Sequence, residues 1–221
     1  MSALAPRDAY RIWAPFYSDE TAISFLEDKL VGAMTPRLEG LRLLDAGCGT
    51  GRRMRACGAA VRIGVDASRE MLAVADPLEG VELIVGDVRA LPLPDASFDV
   101  VWCRLVLGHL EQLAQAYAEL ARVADAGATV IVSDFHPAAH DAGHRRSFRS
   151  AGAVVEIEHH VHRLDDHLAA ASAAGLSLDE VREAEIGNDV RPFYERAGRP
   201  GDHAVHLGLP VVLAISFRRE A

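Results

Sequence analysis

The sequence predicts an α/β fold, in which a doubly wound, mostly parallel sheet carries helices on both faces. Two observations lead to this prediction. Short apolar runs that are typical of buried strands recur through the first 135 residues, and helical patterns alternate with them. Strands that alternate with helices form parallel sheets covered on both faces, and right-handed crossovers then give the doubly wound arrangement.

The predicted strands of this region are apolar stretches bounded by turn residues, and they span 41–46, 61–66, 81–86, 98–103 and 129–134. A helix lies between the last two, because apolar side chains recur there at three- and four-residue steps, at Leu110, Leu113, Tyr117 and Leu120. Ser68 is placed to cap a further helix that follows the second strand.

The two ends of the chain flank this core. Aromatic residues are concentrated before the first strand, and we expect two helices there, joined near 18–20, as an N-terminal helical cap over 1–40. The remainder, 41–221, is predicted to complete one compact domain. Its later part is expected to hold a loop over 135–150, a strand with one polar face over 154–162 and a helix over 164–174. Two final strands, over 176–186 and 210–218, are joined by a long connection over 187–209.

Composition excludes several classes of protein. Half of the 221 residues are apolar, yet no apolar run approaches the roughly 18 residues of a membrane span. Residues 1–8 lack the apolar core of a signal peptide, and the three cysteines are not in metal-ligand spacing. We therefore expect a soluble, cytoplasmic protein with no membrane partner and no metal, existing as a monomer or homodimer.

The balance of charge argues against a nucleic-acid partner. The formal net charge is −9, with 23 basic and 32 acidic side chains, whereas binding to a phosphate backbone needs a basic surface. Two short basic clusters, around Arg53 and at 144–146, are interpreted as solvated segments.

A glycine-rich turn follows the first predicted strand. Gly47, Gly49 and Gly51 permit a tight turn and let a ligand approach the backbone, and the first amides of a following helix can then face that ligand. A dinucleotide fingerprint that begins at Gly47 requires its third glycine at position 52, which is Arg52. Asp45 would also repel a pyrophosphate, but it suits a cofactor that carries an amino group and a sulfonium.

Acidic residues end the next two predicted strands. Asp66 can accept both hydroxyls of a ribose, or it can cap the helix that follows. Asp87 can accept from an exocyclic amine such as that of adenine, while the amide of Val88 serves a ring nitrogen; its alternative role is to cap a loop. Because ligands bind at the carboxyl ends of parallel strands, Asp45, Asp66 and Asp87 should converge.

These motifs together resemble the class I S-adenosylmethionine-dependent methyltransferases, in particular the small-molecule group that includes enzymes of the ubiquinone and menaquinone-biosynthesis type. The matching stretches are LLDAGCGTG (43–51), IGVDASREML (63–72), VGDVRALPLPDASFDVVWC (85–103) and ELARVADAGATVIVSDF (119–135). The resemblance implies a Rossmann-like, seven-stranded sheet with an antiparallel last strand. It also implies S-adenosyl-L-methionine as cofactor, with S-adenosyl-L-homocysteine as product.

By the same resemblance, particular residues would hold parts of the cofactor. The methionine end would lie against Asp45, Gly47 and Gly49, and the ribose against Asp66. Ala67 and Met71 would line the adenine, and Asp87 and Val88 would contact its edge. The site would be closed by Cys103 and Arg104. One departure is that the stretch between Gly51 and Val61 is short and rich in arginine, so the first helix is expected to be short or irregular.

Catalytic residues are harder to predict, because a sulfonium methyl is already electrophilic and needs chiefly to be aligned with a nucleophile. His109 and His136 follow the fourth and fifth strands and are candidate bases, with hydrogen-bonded loop histidines as the alternative. The roles of the His-rich segments 136–144 and 159–167 stay open.

The N-terminal aromatics suggest a lid. Tyr10 and Tyr17 resemble residues that cover the cofactor in related enzymes, with ordinary helix packing as the alternative, and Trp13 and Phe16 would then favour an apolar or aromatic acceptor. The acceptor pocket is expected near 135–162 and 187–209 as well. The acceptor atom, whether oxygen, nitrogen, carbon or sulfur, is left undecided.

Two further functions compete with methyl transfer to a small molecule. One is a protein that binds S-adenosylmethionine without transferring its methyl group, since the motifs describe donor binding alone. The other is a nicotinamide-dependent oxidoreductase, against which the position of Arg52 already counts.

Overall fold

The computed structural model describes residues 3–17, 20–55, 57–76, 78–150 and 152–220. Its strands are β1 Arg42–Ala46, β2 Val61–Asp66, β3 Val81–Val85, β4 Phe98–Arg104, β5 Ala124–Phe135, β6 Ser147–Ser150, β7 Ala153–Glu156, β8 Leu176–Glu185 and β9 Pro210–Arg219. Its α-helices are α1 Pro6–Trp13, α2 Ala22–Met34, α3 Arg69–Ala73, α4 Ala114–Val123, α5 Pro137–Asp141, α6 Leu164–Ala173, α7 Arg191–Arg196 and α8 Pro200–His206.

Seven strands form the main sheet in the order β3-β2-β1-β4-β5-β9-β8. The pairs from β3 to β5 are parallel, while β9 runs antiparallel to both β5 and β8. The predicted doubly wound, Rossmann-like sheet with an antiparallel last strand is therefore confirmed. The order reverses direction at β1, so the loops after β1 and β4 diverge there and open a crevice at the carboxyl ends of the strands.

Both faces of the sheet are covered. On one face, Tyr117 and Leu120 of α4 pack with Ala171 of α6 over the apolar side chains of β4, β5 and β9. On the other face, Val31 of α2 packs with Leu43 of β1 and Met54. The helix predicted from apolar periodicity, α4, thus buries its apolar stripe against the central strands of the sheet.

The chain after β5 differs from its predicted structure. The expected loop over 135–150 contains the short helix α5 and strand β6, and the strand expected over 154–162 is only β7. Period-two alternation identified an extended segment, but only β7 pairs as a strand, in a small hairpin with β6, and Ile157 then forms an isolated parallel bridge with Leu4. The connection 187–209 holds α7 and α8 rather than a bare loop. Its prolines, Pro192 and Pro200, occupy first-turn positions where a helix tolerates proline.

The N-terminal segment matches its prediction in part. Two helices are present, with a 3₁₀ turn over Ala14–Phe16 after α1. Their predicted junction near 18–20 includes Ser18 and Asp19, which lie outside the described residues. Helix α2 begins with a capping box in which Thr21 and Ser24 exchange side-chain and backbone hydrogen bonds. Across the described part of the chain, no helix is both long and apolar enough to cross a membrane.

Candidate active site

The glycine turn after β1 depends on conformations that favour glycine. Gly47, Gly49 and Gly51 have φ values of 85°, 59° and 69°. A Cβ at Gly47 would lie 2.1 Å from Cγ2 of Val106, so only glycine lets the turn approach that wall. The expected helix after the turn is a single 3₁₀ turn over Arg52–Met54, so a full α-helical N-terminus does not face the crevice.

Asp66, at the end of β2, binds the glycine turn directly. Its Oδ2 accepts from the amide of Gly49 at 2.7 Å, and its Oδ1 accepts from the amide of Ser68 at 2.8 Å. Burial raises the pKa of Asp66, and the two backbone amides oppose that rise. Each carboxylate oxygen can accept a second hydrogen bond, so the side chain can hold two adjacent hydroxyls without losing the turn.

The helix after β2 is capped as predicted. The Ser68 hydroxyl accepts from the amide of Met71 at 3.2 Å and fixes the start of α3. Met71 is almost fully buried and lines the crevice beside Ala67. The cap therefore sets the position of an apolar wall next to the Asp66 carboxylate.

Asp87 follows β3 and is held by its own turn. Its carboxylate accepts from the Arg89 side chain at 2.9 and 2.7 Å and from the Arg89 amide at 2.9 Å. These hydrogen bonds hold the pKa of Asp87 below its usual range. The loop-capping alternative is thus present in the structure, while Asp87 and Val88 also line the crevice.

A cavity of about 370 Å³ lies along these strand ends, and we call it the first cavity. Its size is within the range of small-molecule sites. Helix α1 covers one side of it, with Tyr10 among the walls. The sequence-predicted residues that it brings together are Gly47, Gly49, Asp66, Ala67, Met71, Asp87, Val88, Arg104, Tyr10, Tyr17 and His109.

Asp45 lies next to this cavity, not in its wall. The side chain is fully buried, and neither carboxylate oxygen has a hydrogen-bond partner among the described residues. Burial raises the pKa of Asp45 to about 6, against the opposing charges of Arg53 and Arg104. An unpaired buried carboxylate costs free energy, and a ligand ammonium group is the kind of partner that would relieve it.

A buried ionic cluster anchors α2 to this end of the sheet. Glu27 of α2, with 0% of its side chain exposed, accepts from the guanidinium of Arg104 at 2.9 and 2.7 Å and from Arg53 at 3.1 Å. The Ser133 hydroxyl donates to the same carboxylate at 2.6 Å. Burial alone would raise the pKa of Glu27, but these cations hold that pKa at about 2. The cluster fixes the two arginines in the cavity wall.

Comparison with known proteins identifies the family. A family model described as a methyltransferase domain matches residues 44–132. The uncharacterized methyltransferase YcgJ of Bacillus subtilis is 30% identical over 206 residues, which are 86% of this chain and 78% of that protein. The chain belongs to the class I S-adenosylmethionine-dependent methyltransferases. Its cofactor is S-adenosylmethionine, and the nicotinamide alternative is not supported.

Two further relatives agree with this assignment. The 27-O-demethylrifamycin SV methyltransferase of Amycolatopsis mediterranei is 31% identical over 192 residues, 80% of this chain and 68% of that enzyme. A crystal structure of an S-adenosylmethionine-dependent methyltransferase from Mesorhizobium loti is 26% identical, with a TM-score of 0.69 over 88% of this chain and 98% of that one.

His109 lies in the first cavity of the methyltransferase. Its Nε2 lies 3.0 Å from the Tyr10 hydroxyl, and its Nδ1 lies 3.4 Å from the carbonyl oxygen of Glu158. Burial and the positive charge of Arg146 hold the pKa of His109 well below its usual range. The lowered pKa predicts a neutral imidazole ring. In that form, Nδ1 donates to the Glu158 carbonyl and Nε2 accepts from the Tyr10 hydroxyl.

Two predicted site residues of the methyltransferase lie elsewhere. The side chain of Cys103 is fully buried in the core between the sheet and α4, because alternate residues of β4 face opposite sides. His136 caps α5, with Nδ1 accepting from the Ala138 amide at 3.1 Å and Nε2 lying 3.2 Å from Oε1 of Glu183. Neither residue lines the first cavity.

Sequence reasoning predicted Arg104 but missed two other arginines that line the first cavity of the methyltransferase. Arg53 and Arg146 belong to clusters that we interpreted as solvated, but the Arg53 side chain is only 8% exposed and Arg146 is partly buried in the cavity wall. Their partners, Glu27 and the carbonyl of Leu105, are distant in sequence, so no local pattern could have shown the burial. Leu105, which also lines the cavity, has a positive φ of 56°, and this conformation could not be predicted from the sequence either.

Proposed function

We propose that this methyltransferase transfers the methyl group of S-adenosylmethionine to a small-molecule acceptor by in-line displacement. The observation that carries the proposal is a second cavity of about 170 Å³ that shares walls with the first. The shared residues are Tyr10, Tyr17, Arg53, Leu105 and Arg146. A donor in the first cavity and an acceptor in the second would meet at these residues.

The residues of the first cavity fit the cofactor. The Asp66 carboxylate is placed to accept ribose hydroxyls, and Met71 and Val88 give the apolar surface that a purine ring needs. Asp45 and the turn at Gly47 and Gly49 are placed for the amino-acid end. We retain Cys103 and Arg104 as predicted neighbours of the site, Arg104 in the wall and Cys103 in the core behind it.

Catalysis then rests on alignment. When bound, S-adenosylmethionine supplies an electrophilic methyl group on sulfur, and its departing fragment is a neutral thioether. The protein's part is to hold the acceptor in line, which can contribute roughly 7–11 kcal/mol. An acceptor that arrives protonated would need a base, and we propose His109 over His136 for that role, since only His109 lines the first cavity.

The N-terminal cap is part of the proposal. Tyr10, Trp13 and Tyr17 line the second cavity together with Phe135 and Arg146, so α1 and the chain around β6 form its walls. The segment 187–209 was also expected there, but it contributes no residue to either cavity as described and packs instead on Phe135 through Val190 and Phe193. A cytoplasmic location and a monomeric or dimeric state stay predictions.

Release of S-adenosylhomocysteine in the presence of a metabolite library tests the proposal. We expect the wild-type protein to release it with a subset of small molecules. Gly47→Ala should abolish release, because the added Cβ would clash with Val106, whereas Gly127→Ala should retain it. Gly127 is the matched control, since its φ of 76° imposes the same backbone strain and its Cβ would meet nothing within 4 Å. Binding of the cofactor without release for any acceptor would contradict the proposal.

A further inference from the structure

The second cavity is basic in an acidic protein. Four arginines line it, Arg52, Arg53, Arg145 and Arg146, and the described residues place no aspartate or glutamate in its wall. The chain as a whole carries a net charge of −9. A cavity whose sign opposes that of the surrounding protein concentrates ligands of the opposite charge.

Two of the four arginines are partly neutralised by the protein itself. Arg53 pairs with Glu27 and Asp28 at 3.1 Å, and Arg52 lies 3.6 Å from Asp28. Each lies within salt-bridge distance of a carboxylate of the ionic cluster that anchors α2, although Arg104 shares the same two carboxylates. They shape the wall, and their charge is partly compensated.

The other two arginines bind only main-chain oxygens. Arg145 donates to the carbonyls of His140 and His144 at 2.9 and 2.8 Å, and Arg146 donates from Nη2 to the carbonyl of Leu105 at 2.6 Å. Within the part of the chain that the structure describes, neither arginine forms a salt bridge with a carboxylate. The cavity therefore holds positive charge at Arg146, which forms no salt bridge although the carboxylate of Asp134 lies within its electrostatic reach, and at the exposed Arg145.

Arg146 has a further unmatched donor. Its Nη1 is buried and has no hydrogen-bond partner among the described residues, which is costly for a charged group. The same side chain lines both cavities, so the guanidinium group that carries this unmatched donor borders the space where a ligand would lie. His109 and Tyr10 share this region but are uncharged at neutral pH, because burial lowers the pKa of His109 and raises that of Tyr10.

Aromatic side chains also line the second cavity, namely Tyr10, Trp13, Tyr17 and Phe135. Trp13 stacks on Phe148 with centroids 5.0 Å apart and on Tyr10 at 5.7 Å, which holds the indole rigidly. The volume of about 170 Å³ is close to the roughly 150 Å³ of a cavity that binds benzene. Aromatic walls of this size fit one ring.

We propose that the acceptor is a single-ring aromatic acid, with its ring among the aromatic side chains that line the second cavity and its carboxylate accepting from the guanidinium of Arg146. Arginine suits this role because its planar guanidinium matches carboxylate geometry and remains charged. The inference rests on the proposed function, since it names the class of molecule that the second cavity holds.

Calorimetric titration with benzoate and with its neutral isostere benzamide tests the inference, in the presence of saturating S-adenosylhomocysteine. We expect wild-type protein to bind benzoate at least roughly tenfold more tightly than benzamide. Arg146→Gln should remove this preference, and Arg146→Lys should retain part of it. Arg149→Gln is the matched control, because Arg149 lies on the same hairpin, is exposed and lines neither cavity, and it should keep the preference.

Binding of S-adenosylhomocysteine by each variant separates this inference from the proposed function. Retained binding shows that the variant is folded and that the cofactor cavity is intact. Equal affinity for benzoate and benzamide, undetectable benzoate binding, or an unchanged preference in Arg146→Gln would overturn the inference while leaving methyl transfer to another acceptor possible. Failure of the wild-type protein to bind S-adenosylhomocysteine would contradict the proposed function itself, and with it the inference.

Discussion

At the scale of single residues, Asp66 has the most direct link between sequence and site. One carboxylate fixes the glycine turn through Gly49 and the start of α3 through Ser68. The two possibilities raised by the sequence, ribose binding and capping, are therefore compatible. Carboxylate oxygens accept several hydrogen bonds, so the backbone contacts pre-organise the same group that would meet the ligand.

Replacing Asp66 with asparagine should weaken cofactor binding by roughly tenfold or more. The amide loses one acceptor oxygen and the charge, and hydrogen bonds to charged groups contribute about 1.5–3 kcal/mol. Calorimetry with S-adenosylhomocysteine measures the effect. Asp99→Asn is the control, since Asp99 is the second residue of β4, at the opposite end of the strand from the cavity, and pairs with Arg42. Equal affinities for wild type and Asp66→Asn would show that Asp66 does not contact the cofactor.

The ionised side chain of Asp45 should lower the free energy of unfolding of the protein without cofactor. Its folded pKa of about 6 lies above the ordinary value of 3.8, so the folded state holds a proton that the unfolded state has released between these pH values. Stability therefore falls as pH rises from about 4 to about 6, and the full cost, about 3 kcal/mol, is present above that window.

Asp45→Asn removes this cost, so the variant should be more stable than wild type at pH 8 by about 1–3 kcal/mol and nearly equal to it at about pH 4. Urea unfolding at the two pH values, without cofactor, gives the difference. The variant should also bind the cofactor less tightly. A variant less stable than wild type at pH 8 would show that ionised Asp45 is stabilised by Arg53 and Arg104 more than burial costs it.

At the scale of elements, α2 is attached to the sheet by charge as well as by apolar contact. Glu27 joins Arg104 at the end of β4, Arg53 after the glycine turn, and Ser133 in β5. The helix thus connects the elements that form the cofactor cavity. The exposed pair between Lys29 and Asp189, at 2.6 Å, attaches the same helix to the segment before α7.

Glu27→Gln should destabilise the protein by about 3 kcal/mol, because it removes the fully buried carboxylate that Arg53 and Arg104 share and leaves them only the partly exposed Asp28. Lys29→Gln on the same helix should cost at most about 1 kcal/mol, since exposed ion pairs contribute little. Urea unfolding at neutral pH compares the two. The Glu27 contribution is present above the unfolded pKa of 4.5 and is lost as pH falls toward about 2. Similar losses for both variants would contradict the buried-pair interpretation.

At the scale of the whole molecule, the sequence predicted the sheet and most of the strand-end residues that line the first cavity. Buried strands produce apolar runs, and the glycine turn and strand-end carboxylates are local features, so β1 to β5 and Asp66 could be placed from spacing alone. The fold then brought Gly49, Asp66, Met71 and Val88 to one cavity, as strand order requires.

The acceptor side could not be predicted in this way. The strand β6, the short helices α7 and α8, and the burial of Arg53 and Arg146 depend on contacts between residues far apart in the chain. The alternation over 154–162 was interpreted as one strand, but His162 lies beyond the end of β7. Its side chain is buried, and its Nε2 lies 2.8 Å from the Leu110 carbonyl oxygen. Polar side chains buried by tertiary contacts leave no periodic signal.

A crystal structure with S-adenosylhomocysteine bound tests the assignment of the cofactor site most directly. We predict electron density in the first cavity, with the ribose hydroxyls within hydrogen-bond distance of the Asp66 carboxylate and the adenine between Met71 and Val88. The amino group of the ligand should face Asp45. Density for the ligand outside this cavity, or a ribose that does not contact Asp66, would contradict this assignment of the cofactor site.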